Sequence, residues 1–394
     1  MPRVVLLVPT SSYRTNDFIT AARALGVELI IASDQPPSLP DPGGVRSLVV
    51  DFNDPAKAAD LIVGLDNRQG VDGVVALDDQ GIEIAALTAD RLGLRSSSPA
   101  AVSHTRDKAS LRTALAKREV SQPRFAAFDD PEEIPAIGFP CVIKPVGLSA
   151  SQGVIRANNH DEATRAAKWA QKIAGGGKMI VEEYVSGSEV AVEGLLRDGN
   201  LETLVIFDKP DLMEGPYFEE TIYVTPSRHK PKIIEMVKST SAEACRAINL
   251  TEGPVHIELR ISGDRCWVIE VAARSIGGLC ARTLSFSTGV SWEEIILRHA
   301  LEMPIDFTRE RSAAGVMMIP IVKSGALTGV QGKDDALRSD NIVGVEITVP
   351  IGRSIKTLPE GDRYLGFIFA RAQTPAEVEQ ALRLAHAKLK IEIT

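Results

Sequence analysis

The chain has 394 residues, enough for two or three domains, and its 44% hydrophobic and 24% charged residues are ordinary for a globular protein. The formal net charge of −8 argues against a nucleic-acid partner, because phosphate backbones are bound by clustered lysine and arginine. No apolar run approaches the roughly 20 residues that span a bilayer, so no membrane partner is expected. The four cysteines lack metal-ligand spacing, which favours buried thiols in a reducing cytoplasm.

The first hundred residues alternate between strand and helix patterns. Strands are predicted at 3–8, 28–32, 47–51 and 73–77, and helices at 16–25 and 55–66, with a proline-rich loop at 36–44. This rhythm is typical of a small parallel sheet. A G-x-G-x-x-G motif does not follow the first strand, which disfavours a bound dinucleotide.

Ligands of parallel sheets gather at the carboxyl ends of the strands. The polar residues there are candidate cleft residues: Thr10, Ser11, Ser12, Asp34, Asp78 and Asp79. Taken singly, each of them is more commonly a helix cap or a turn former.

A strand that ends in lysine and is followed by small residues forms a candidate phosphate site. Lys144 and Pro145 close the strand predicted at 138–145, and the loop to Gly153 is rich in glycine, serine and alanine. Small residues let backbone N–H groups approach phosphate oxygens, and Lys144 and Lys108 supply charge. The pattern is not G-x-x-x-x-G-K-[ST], which excludes a P-loop NTPase. On its own, such a loop is more often only a turn.

The strand predicted at 179–185 contains Glu182, Glu183, Tyr184 and Val185. Backbone groups near the end of a strand can imitate a base-pair edge and bind adenine, and Glu189 can accept hydrogen bonds from ribose hydroxyls. The alternative is an ordinary sheet edge that its acidic residues keep soluble.

Glu258 and Glu270 lie in two alternating segments joined at Gly263-Asp264, which predicts a β-hairpin. With a three-residue loop at 263–265, the two carboxylates share one face at a Cβ distance of roughly 5 Å. Carboxylates that close repel each other, so a hard cation such as Mg²⁺ is expected between them. Arg274 extends this face toward an anion held on the metal. A two-residue turn would put the glutamates on opposite faces and leave an ordinary edge hairpin.

The order of these motifs resembles the ATP-grasp superfamily of carboxylate–amine and carboxylate–thiol ligases. The resemblance covers almost the whole chain, and it depends on the combination, since each motif alone is weak. It implies an α/β and α+β fold with three domains. These are an N-terminal parallel α/β domain at 1–104, an ATP-grasp domain at 105–300 and a lid-like C-terminal α+β domain at 301–394. The ATP-grasp domain would divide into a flap-bearing subdomain at about 105–180 and a metal-binding antiparallel sheet at about 181–300.

The resemblance also implies site residues. The ATP-binding residues would be Lys108, Lys144, Ser149, Ser151, Gly153, Glu182, Glu183, Tyr184, Val185 and Glu189, with 147–153 as a mobile flap. The metal ligands would be Glu258 and Glu270, which would hold one or two Mg²⁺ ions, with Mn²⁺ as an alternative. Arg274 would be the catalytic residue that stabilises the acyl phosphate or tetrahedral intermediate. The substrate-binding residues would be Asp78, Glu220, His256, Arg274, Gly277 and Gly278.

The segment at 366–371 and the helix predicted at 375–389 look like the C-terminal portion of L-amino acid ligases. The implied reaction joins two small molecules, a carboxylate and an amine, into a dipeptide or similar amide with release of ADP and phosphate. Many relatives form dimers, so a homodimer is a further expectation. One position departs from the family pattern Glu-x-Asn-x-Arg, because Ala272 stands where asparagine would ligate metal. That departure keeps two alternatives open: an ATP-binding protein with weak or no ligase activity, and a carboxylating or formyl-transferring enzyme.

Overall fold

The structure is a computed structural model that describes residues 1–10, 12–36, 46–284, 289–306 and 312–394, with side chains left out at 67–69. Ser11 and residues 37–44 of the predicted proline-rich loop lie outside the described residues. The four cysteines are buried free thiols, as predicted. In the described residues, no helix is both long and apolar enough to cross a membrane.

The N-terminal region is a parallel sheet with helices on its faces, as predicted. Its strands β1 (Arg3–Leu7), β2 (Glu28–Ser33), β3 (Arg46–Val49) and β4 (Gly73–Ala76) lie in the order β3-β2-β1-β4. Its helices are α1 (Thr15–Leu25), α2 (Pro55–Gln69) and α3 (Ile82–Leu92). Successive residues of β1 point to opposite faces, so Val4 and Leu6 enter one core while Val5 and Leu7 enter another.

The next region begins with α4 (Pro99–Ser103) and α5 (Lys108–Lys117) and contains a small antiparallel sheet. The strands β5 (Phe125–Phe128), β6 (Cys141–Pro145), β7 (Ile155–Ala157) and β8 (Met179–Glu183) lie in the order β5-β8-β6-β7. Helix α6 (His160–Ile173) covers one face with buried alanines at 163, 166, 167 and 170. These small residues recur with the helical period, which lets the helix pack closely on the sheet.

A central sheet of eight strands carries the rest of the site. Its order is β13-β12-β9-β10-β11-β14-β18-β16. These strands are β9 (Ser188–Arg197), β10 (Asn200–Lys209), β11 (Ile222–Thr225), β12 (Gly253–Ser262), β13 (Arg265–Ala272), β14 (Ala313–Ile319), β16 (Ile342–Ile347) and β18 (Gly366–Ala372). Residues of α7 (Pro231–Ala247) belong to the core on one face, and those of α8 (Trp292–Ala300) to the core on the other.

The sheet continues across position 300, because β11 pairs with β14 and β14 pairs with β18. The C-terminal part adds a three-stranded sheet of β15 (Gly325–Gln331), β17 (Ser354–Ile355) and β19 (Lys390–Ile393), with helices α9 (Lys333–Leu337) and α10 (Pro375–His386). Thr374 and Glu377 form a capping box that fixes the start of α10. The domain boundaries at 104 and 300 stay predictions.

Candidate active site

Three rows of side chains on one face of the central sheet form the floor of the site. The strand register places Glu189 beside Arg260, Ala191 beside Glu258, and Glu193 beside His256. On the next strand, Glu270 is opposite Glu258 and Ala272 is opposite His256. Alternate residues of a strand share a face, so the three rows lie next to one another.

The two glutamates face each other, as expected for a three-residue loop, although the loop is the two-residue alternative. Ser262 pairs with Arg265, so the loop has two residues, and Gly263 adopts a φ of +59° that favours glycine in such a turn. A two-residue loop alone would put the two glutamates on opposite faces of the hairpin. A β-bulge that leaves one extra residue on β13 restores the pairing.

The bulge also changes which residues of β13 are buried. Cys266, Val268 and Val271 belong to the core, whereas Trp267 and Ile269 are only half-buried. The predicted alternation of Trp267, Ile269 and Val271 therefore holds only for the residue after the bulge. On β12, Val255, Ile257, Leu259 and Ile261 are all buried, in agreement with their alternation.

A cavity of about 630 Å³ lies between the small sheet and the central sheet. Its lining includes nine of the ten predicted ATP-binding residues: Lys108, Lys144, Ser149, Ser151, Glu182, Glu183, Tyr184, Val185 and Glu189. Gly153 is absent from this lining. Its N–H donates to the Pro359 carbonyl at 3.0 Å, and a side chain there would meet Pro145, so its role is to shape the loop.

Buried ion pairs hold the lysine at the end of β6. Lys144 Nζ donates to Glu182 Oε2 at 2.7 Å, and Arg112 Nε donates to Glu182 Oε1 at 2.7 Å. Burial by itself raises the pKa of the Glu182 carboxyl, but Arg112 and Lys144 outweigh it and lower the pKa to about 2. The Glu182 side chain is thus committed to the two cations, and only its backbone is available to a base.

Glu189 is similarly committed by its neighbours. Its carboxylate accepts from Lys209 Nζ at 2.7 Å and from Arg260 Nε at 2.9 Å, while Arg260 also donates to the Val185 carbonyl at 2.7 Å. Lys108, whose side chain is 14% exposed, has its Nζ 2.5 Å from the Leu148 carbonyl oxygen and 3.8 Å from Glu270 Oε1. Lys108 therefore links the flap to the glutamate pair.

Sequence reasoning gave no individual role to Lys209, a buried lysine at the end of β10. Its Nζ lies 2.7 Å from Glu189, 2.5 Å from Glu220 and 3.2 Å from Glu258. Burial by itself lowers the pKa of Lys209, but the three carboxylates outweigh it and raise the pKa well above 10.5. The sequence did contain a sign of this site. A lysine and a proline follow an apolar strand at Lys209, which is the pattern that identified Lys144.

The donor set fits a divalent cation. Carboxylate oxygens of Glu189, Glu220 and Glu258 lie within 4.8 Å of one another, and Glu270 is opposite Glu258. Burial raises the pKa of Glu258, Lys209 opposes this rise, and Glu220 adds to it. Lys209 Nζ already balances part of this negative charge, and Mg²⁺ prefers oxygen ligands such as the carboxylates of the paired Glu258 and Glu270. Ala272 contributes no donor atom.

A second, larger cavity of about 1270 Å³ adjoins the first. Both are lined by Ser149, Ser151, Glu258 and Glu270. The predicted substrate-binding residues all line the second cavity: Asp78, Glu220, His256, Arg274, Gly277 and Gly278. The structure thus brings these six residues together from distant parts of the chain.

Arg274 is held by an acidic residue of the N-terminal region. Its Nη2 donates to Asp79 Oδ2 at 2.8 Å. Burial lowers the pKa of Arg274, but Asp79 outweighs it and raises the pKa above the ordinary value. The neighbouring Asp78 has its pKa raised by burial, although Ser12 and Arg274 oppose this change. Asp79 was predicted only as a cleft residue, and it proves to position the guanidinium.

His256 bridges two carboxylates at the rear of this cavity. Its Nδ1 lies 2.6 Å from Glu193 Oε1, and its Nε2 lies 3.3 Å from Glu258 Oε1. Burial lowers the pKa of His256, but the two carboxylates outweigh it and raise the pKa to about 9. Glu193 is fully buried and was not predicted from the sequence.

The C-terminal region also reaches the site. Tyr364 Oη donates to Glu220 Oε2 at 3.0 Å, and Asp362 lines the larger cavity. Trp169 Nε1 donates to Glu360 Oε1 at 2.7 Å, which ties the flap-bearing region to the same segment. Sequence reasoning identified the strand after this segment but not the contacts of Tyr364.

Comparisons with known proteins agree with this architecture. Family models match at residues 19–95 (ATP-grasp N-terminal domain), 137–283 (ATP-grasp domain) and 317–394 (L-amino acid ligase C-terminal domain 2). The chain therefore carries an ATP-grasp domain, preceded by an ATP-grasp N-terminal domain. Its C-terminal part is of the L-amino acid ligase type.

Solved structures share the fold. The L-amino acid ligase from Bacillus licheniformis has a TM-score of 0.85 and 24% identity, with 100% of this chain and 99% of that chain covered. The N5-carboxyaminoimidazole ribonucleotide synthetase from Thermotoga maritima has a TM-score of 0.76 and 17% identity, with 100% of both chains covered. The predicted ATP-grasp fold, with a parallel N-terminal sheet and antiparallel sheets after it, is confirmed.

Curated relatives include formate-dependent phosphoribosylglycinamide formyltransferases. That of Delftia acidovorans is 26% identical over 282 residues, which cover 67% of this chain and 64% of the relative. That of Leptothrix cholodnii is 24% identical over 371 residues, which cover 86% of this chain and 85% of the relative. The match to the first relative thus leaves about a third of its length uncovered.

Proposed function

We propose that the chain is an ATP- and Mg²⁺-dependent ligase that activates a carboxylate as an acyl phosphate and joins it to an amine. The observation that carries the proposal is that two cavities meet at the Glu258–Glu270 pair. Lys108 and Lys144 line one cavity, and Arg274 lines the other. This arrangement suits a terminal phosphate and a carboxylate that approach the same pair of metal ligands from opposite sides.

In the first half-reaction, the substrate carboxylate would attack the terminal phosphate of ATP, and ADP would leave. Lys108 and Lys144 offset the phosphate charge, and the buried Glu182 fixes Lys144. A divalent cation held by Glu258 and Glu270 would neutralise charge on the transferring phosphoryl group. The flap at 147–153 excludes water from the acyl phosphate, which is easily hydrolysed.

In the second half-reaction, the amine nitrogen bonds to the carbonyl carbon and the bond to phosphate breaks. Arg274 stabilises the oxyanion, and Asp79 holds the guanidinium in place at 2.8 Å. Backbone N–H groups of Gly277 and Gly278, which line the same cavity, add donors. Phosphate leaves with the electron pair of the broken bond, the nitrogen loses its proton to solvent, and an amide is formed.

The amine and the carboxylate are inferred to be amino acids, so that the product is a dipeptide or similar amide. This finer assignment is supported by the C-terminal match at 317–394. It is also supported by Asp78, Asp362 and Glu220 in the cavity lining, because carboxylates suit a substrate ammonium group.

A screen of ATP hydrolysis tests the proposal. Phosphate release is measured with Mg²⁺ and pairwise mixtures of amino acids, and the products are analysed by mass spectrometry. Phosphate together with a mass of two amino acids minus water is the expected result. ATP binding without phosphate release in any mixture, including mixtures with other carboxylates, would contradict it and favour an ATP-binding protein that Ala272 has left without ligase activity.

A formyl-transferring ligase is the second candidate, favoured by the curated relatives named above. It requires formate as the carboxylate and phosphoribosylglycinamide (glycinamide ribonucleotide) as the amine acceptor. The same assay with formate and glycinamide ribonucleotide separates the two candidates, because only the second produces a formylated ribonucleotide.

A further inference from the structure

A buried arginine of the N-terminal region reaches the loop that follows Arg274, and the proposed chemistry leaves it without a role. Arg14 lies directly before α1, and its side chain is 1% exposed. Its Nη1 donates to Ser275 Oγ at 2.5 Å and to the Ile276 carbonyl oxygen at 3.2 Å. Its Nη2 donates to Glu293 Oε1 on α8 at 2.6 Å. One guanidinium thus joins the N-terminal region and α8 to two consecutive residues of the loop.

These contacts fix a position more than they stabilise the fold. Both members of the Arg14–Glu293 pair are buried, so the loss of water around the two charges offsets much of their attraction. The guanidinium is planar and rigid, so its bonds to three separate acceptors hold the loop at one distance from α8. The cation also lies 5.2 Å from the centre of the Phe18 ring on α1. Arg14 is therefore anchored at its own end as well.

The anchored loop holds the proposed catalytic arginine from a second direction. Arg274 Nη1 donates to the Ser275 carbonyl oxygen at 3.0 Å, while its Nη2 donates to Asp79 Oδ2 at 2.8 Å. Ser275 thus contacts Arg14 through its side chain and Arg274 through its backbone. A shift of Ser275 would move the Arg274 guanidinium with it, because the two groups are bonded directly.

The same loop carries two glycines that line the larger cavity. The N–H groups of Gly277 and Gly278 donate to no backbone carbonyl of the described residues. Such N–H groups are available to an oxyanion that develops in the cavity. Gly278 has a φ of +60°, and a side chain there would lie 2.8 Å from the Phe367 ring. The loop is therefore held by Arg14 near its start and confined by Phe367 near its end.

We propose that Arg14 is a positioning residue for amide formation, and that it holds both Arg274 and the N–H groups of the loop at 275–278 where the oxyanion develops. The inference rests on the proposed function, because it assumes that an acyl phosphate reacts with an amine in the larger cavity. A displacement of about 1 Å at a reacting centre can cost about 100-fold in rate. The first half-reaction relies on Lys108 and Lys144 in the other cavity, so the loss should fall on the second half-reaction.

A displaced loop would change how the acyl phosphate is consumed. In the wild-type chain, one amide should form for each phosphate that is released. When the oxyanion donors are displaced, attack by the amine slows and the acyl phosphate persists. Water then hydrolyses it to the original carboxylate and phosphate, with a proton released to solvent. The ratio of amide to phosphate therefore reports the position of the loop.

The experiment measures amide and phosphate separately, with Mg²⁺, ATP and the substrate pair found in the screen. The main variant combines Arg14→Gln with Glu293→Gln, which removes both buried charges and leaves neither of them unpaired. Amide formation should fall about 100-fold, phosphate release should fall less, and the amide-to-phosphate ratio should drop well below one. Partial unfolding would lower both products equally and leave the ratio unchanged.

A milder variant keeps the inference testable if the double variant does not fold. Ser275→Ala removes the Oγ acceptor and retains the buried ion pair, so it should lower the ratio in the same direction by a smaller amount. The matched control is Arg282→Gln. Arg282 also joins this part of the chain to α1 through Asp17, but it lines neither cavity. Its loss should leave the ratio near one.

Two results would contradict the inference, and they differ in what else they affect. A ratio that stays near one in Ser275→Ala and in the folded double variant would remove Arg14 as a positioning residue and leave the ligase proposal intact. A wild-type chain that forms no amide with any pair of substrates would overturn the proposed function and the inference together.

Discussion

The two cavities that meet at the glutamate pair are built differently. We call the smaller cavity, the proposed ATP site, the nucleotide half, and the larger cavity, the proposed substrate site, the substrate half. The nucleotide half is held by ion pairs inside the ATP-grasp region, such as Lys144 with Glu182. The substrate cavity is assembled from all three regions, with Asp78 and Asp79 from the N-terminal sheet and Asp362 and Tyr364 from the C-terminal part. The nucleotide half can therefore stay constant while the substrate half varies, which is how one fold can serve several substrates.

Replacing Glu270 with alanine should impair the function of both cavities, because Glu270 lines both of them. Loss of a metal ligand removes several kcal/mol of charge stabilisation, so turnover should fall by about 10⁴-fold. The measurement is phosphate release as a function of Mg²⁺ concentration. Wild-type turnover would show that Glu270 is not a ligand. Glu202→Ala, at a surface ion pair with Arg197, is the matched control and should keep full activity.

Replacing Glu182 with glutamine should lower folding stability and weaken nucleotide binding, without acting directly on the substrate cavity. The change leaves Arg112 and Lys144 without a buried counter-charge, which costs about 3–5 kcal/mol of unfolding free energy. Chemical denaturation measures this cost, and nucleotide binding should weaken with it. Glu202→Gln is the control, because the Glu202–Arg197 pair lies toward solvent and is worth less than about 1 kcal/mol. Equal effects of the two changes would contradict the comparison.

The pH dependence of folding stability also reports the contribution of the Glu182 ion pairs. The folded pKa of Glu182 is about 2, below its ordinary value of 4.5. A depressed carboxyl pKa contributes stability that is fully present above about pH 4.5 and is lost as the pH falls toward 2. The wild-type chain should therefore lose about 3 kcal/mol across this window that Glu182→Gln does not lose. Parallel stability curves for the two chains would show that Glu182 is not the group responsible.

Replacing Arg274 with alanine should impair the chemistry in the substrate cavity and leave nucleotide binding intact. The change removes oxyanion stabilisation, so kcat should fall about 10²- to 10³-fold while ATP affinity changes little. Steady-state kinetics together with nucleotide titration separate the two quantities. Asp79→Asn should reproduce part of the loss in kcat, because it frees the guanidinium. A change confined to ATP affinity would move Arg274 from the chemistry to nucleotide binding.

The smallest effect is expected for Tyr364→Phe, which removes one hydrogen bond to Glu220. Such a bond is worth about 1 kcal/mol, so the amine KM should rise about fivefold without a change in ATP affinity. The control is Tyr217→Phe, since that ring packs edge-on against Trp169 outside the substrate cavity. A change in ATP affinity, with the amine KM unchanged, would mean that the C-terminal region contributes to nucleotide binding.

The sequence carries local patterns, and these predicted most of the nucleotide half. The strand ending in Lys144 and the alternation around Glu258 are readable because strand periodicity needs only neighbouring residues. Helices α3, α7 and α8 were not predicted. The bulge was not predicted either, because the extra Ile269 only extends the apolar run that begins at Cys266 and leaves no local sign.

The substrate half depends on contacts that no local pattern records. Arg274 and Asp79 are 195 residues apart, Tyr364 and Glu220 are 144 apart, and His256 and Glu193 are 63 apart. These pairs follow from the order of strands in the central sheet and from the packing of the N-terminal and C-terminal regions on it. For that reason the sequence predicted which residues form the cavity but not the partners that position them.

The acyl phosphate is the central claim, and isotope transfer tests it most directly. The carboxylate substrate found in the screen is labelled with ¹⁸O, and the released phosphate is analysed by mass spectrometry. The account predicts one ¹⁸O atom in each phosphate, because a carboxylate oxygen leaves with the phosphoryl group. Phosphate without ¹⁸O, despite formation of the amide, would show that the carboxylate is not activated by phosphorylation and would contradict the mechanism.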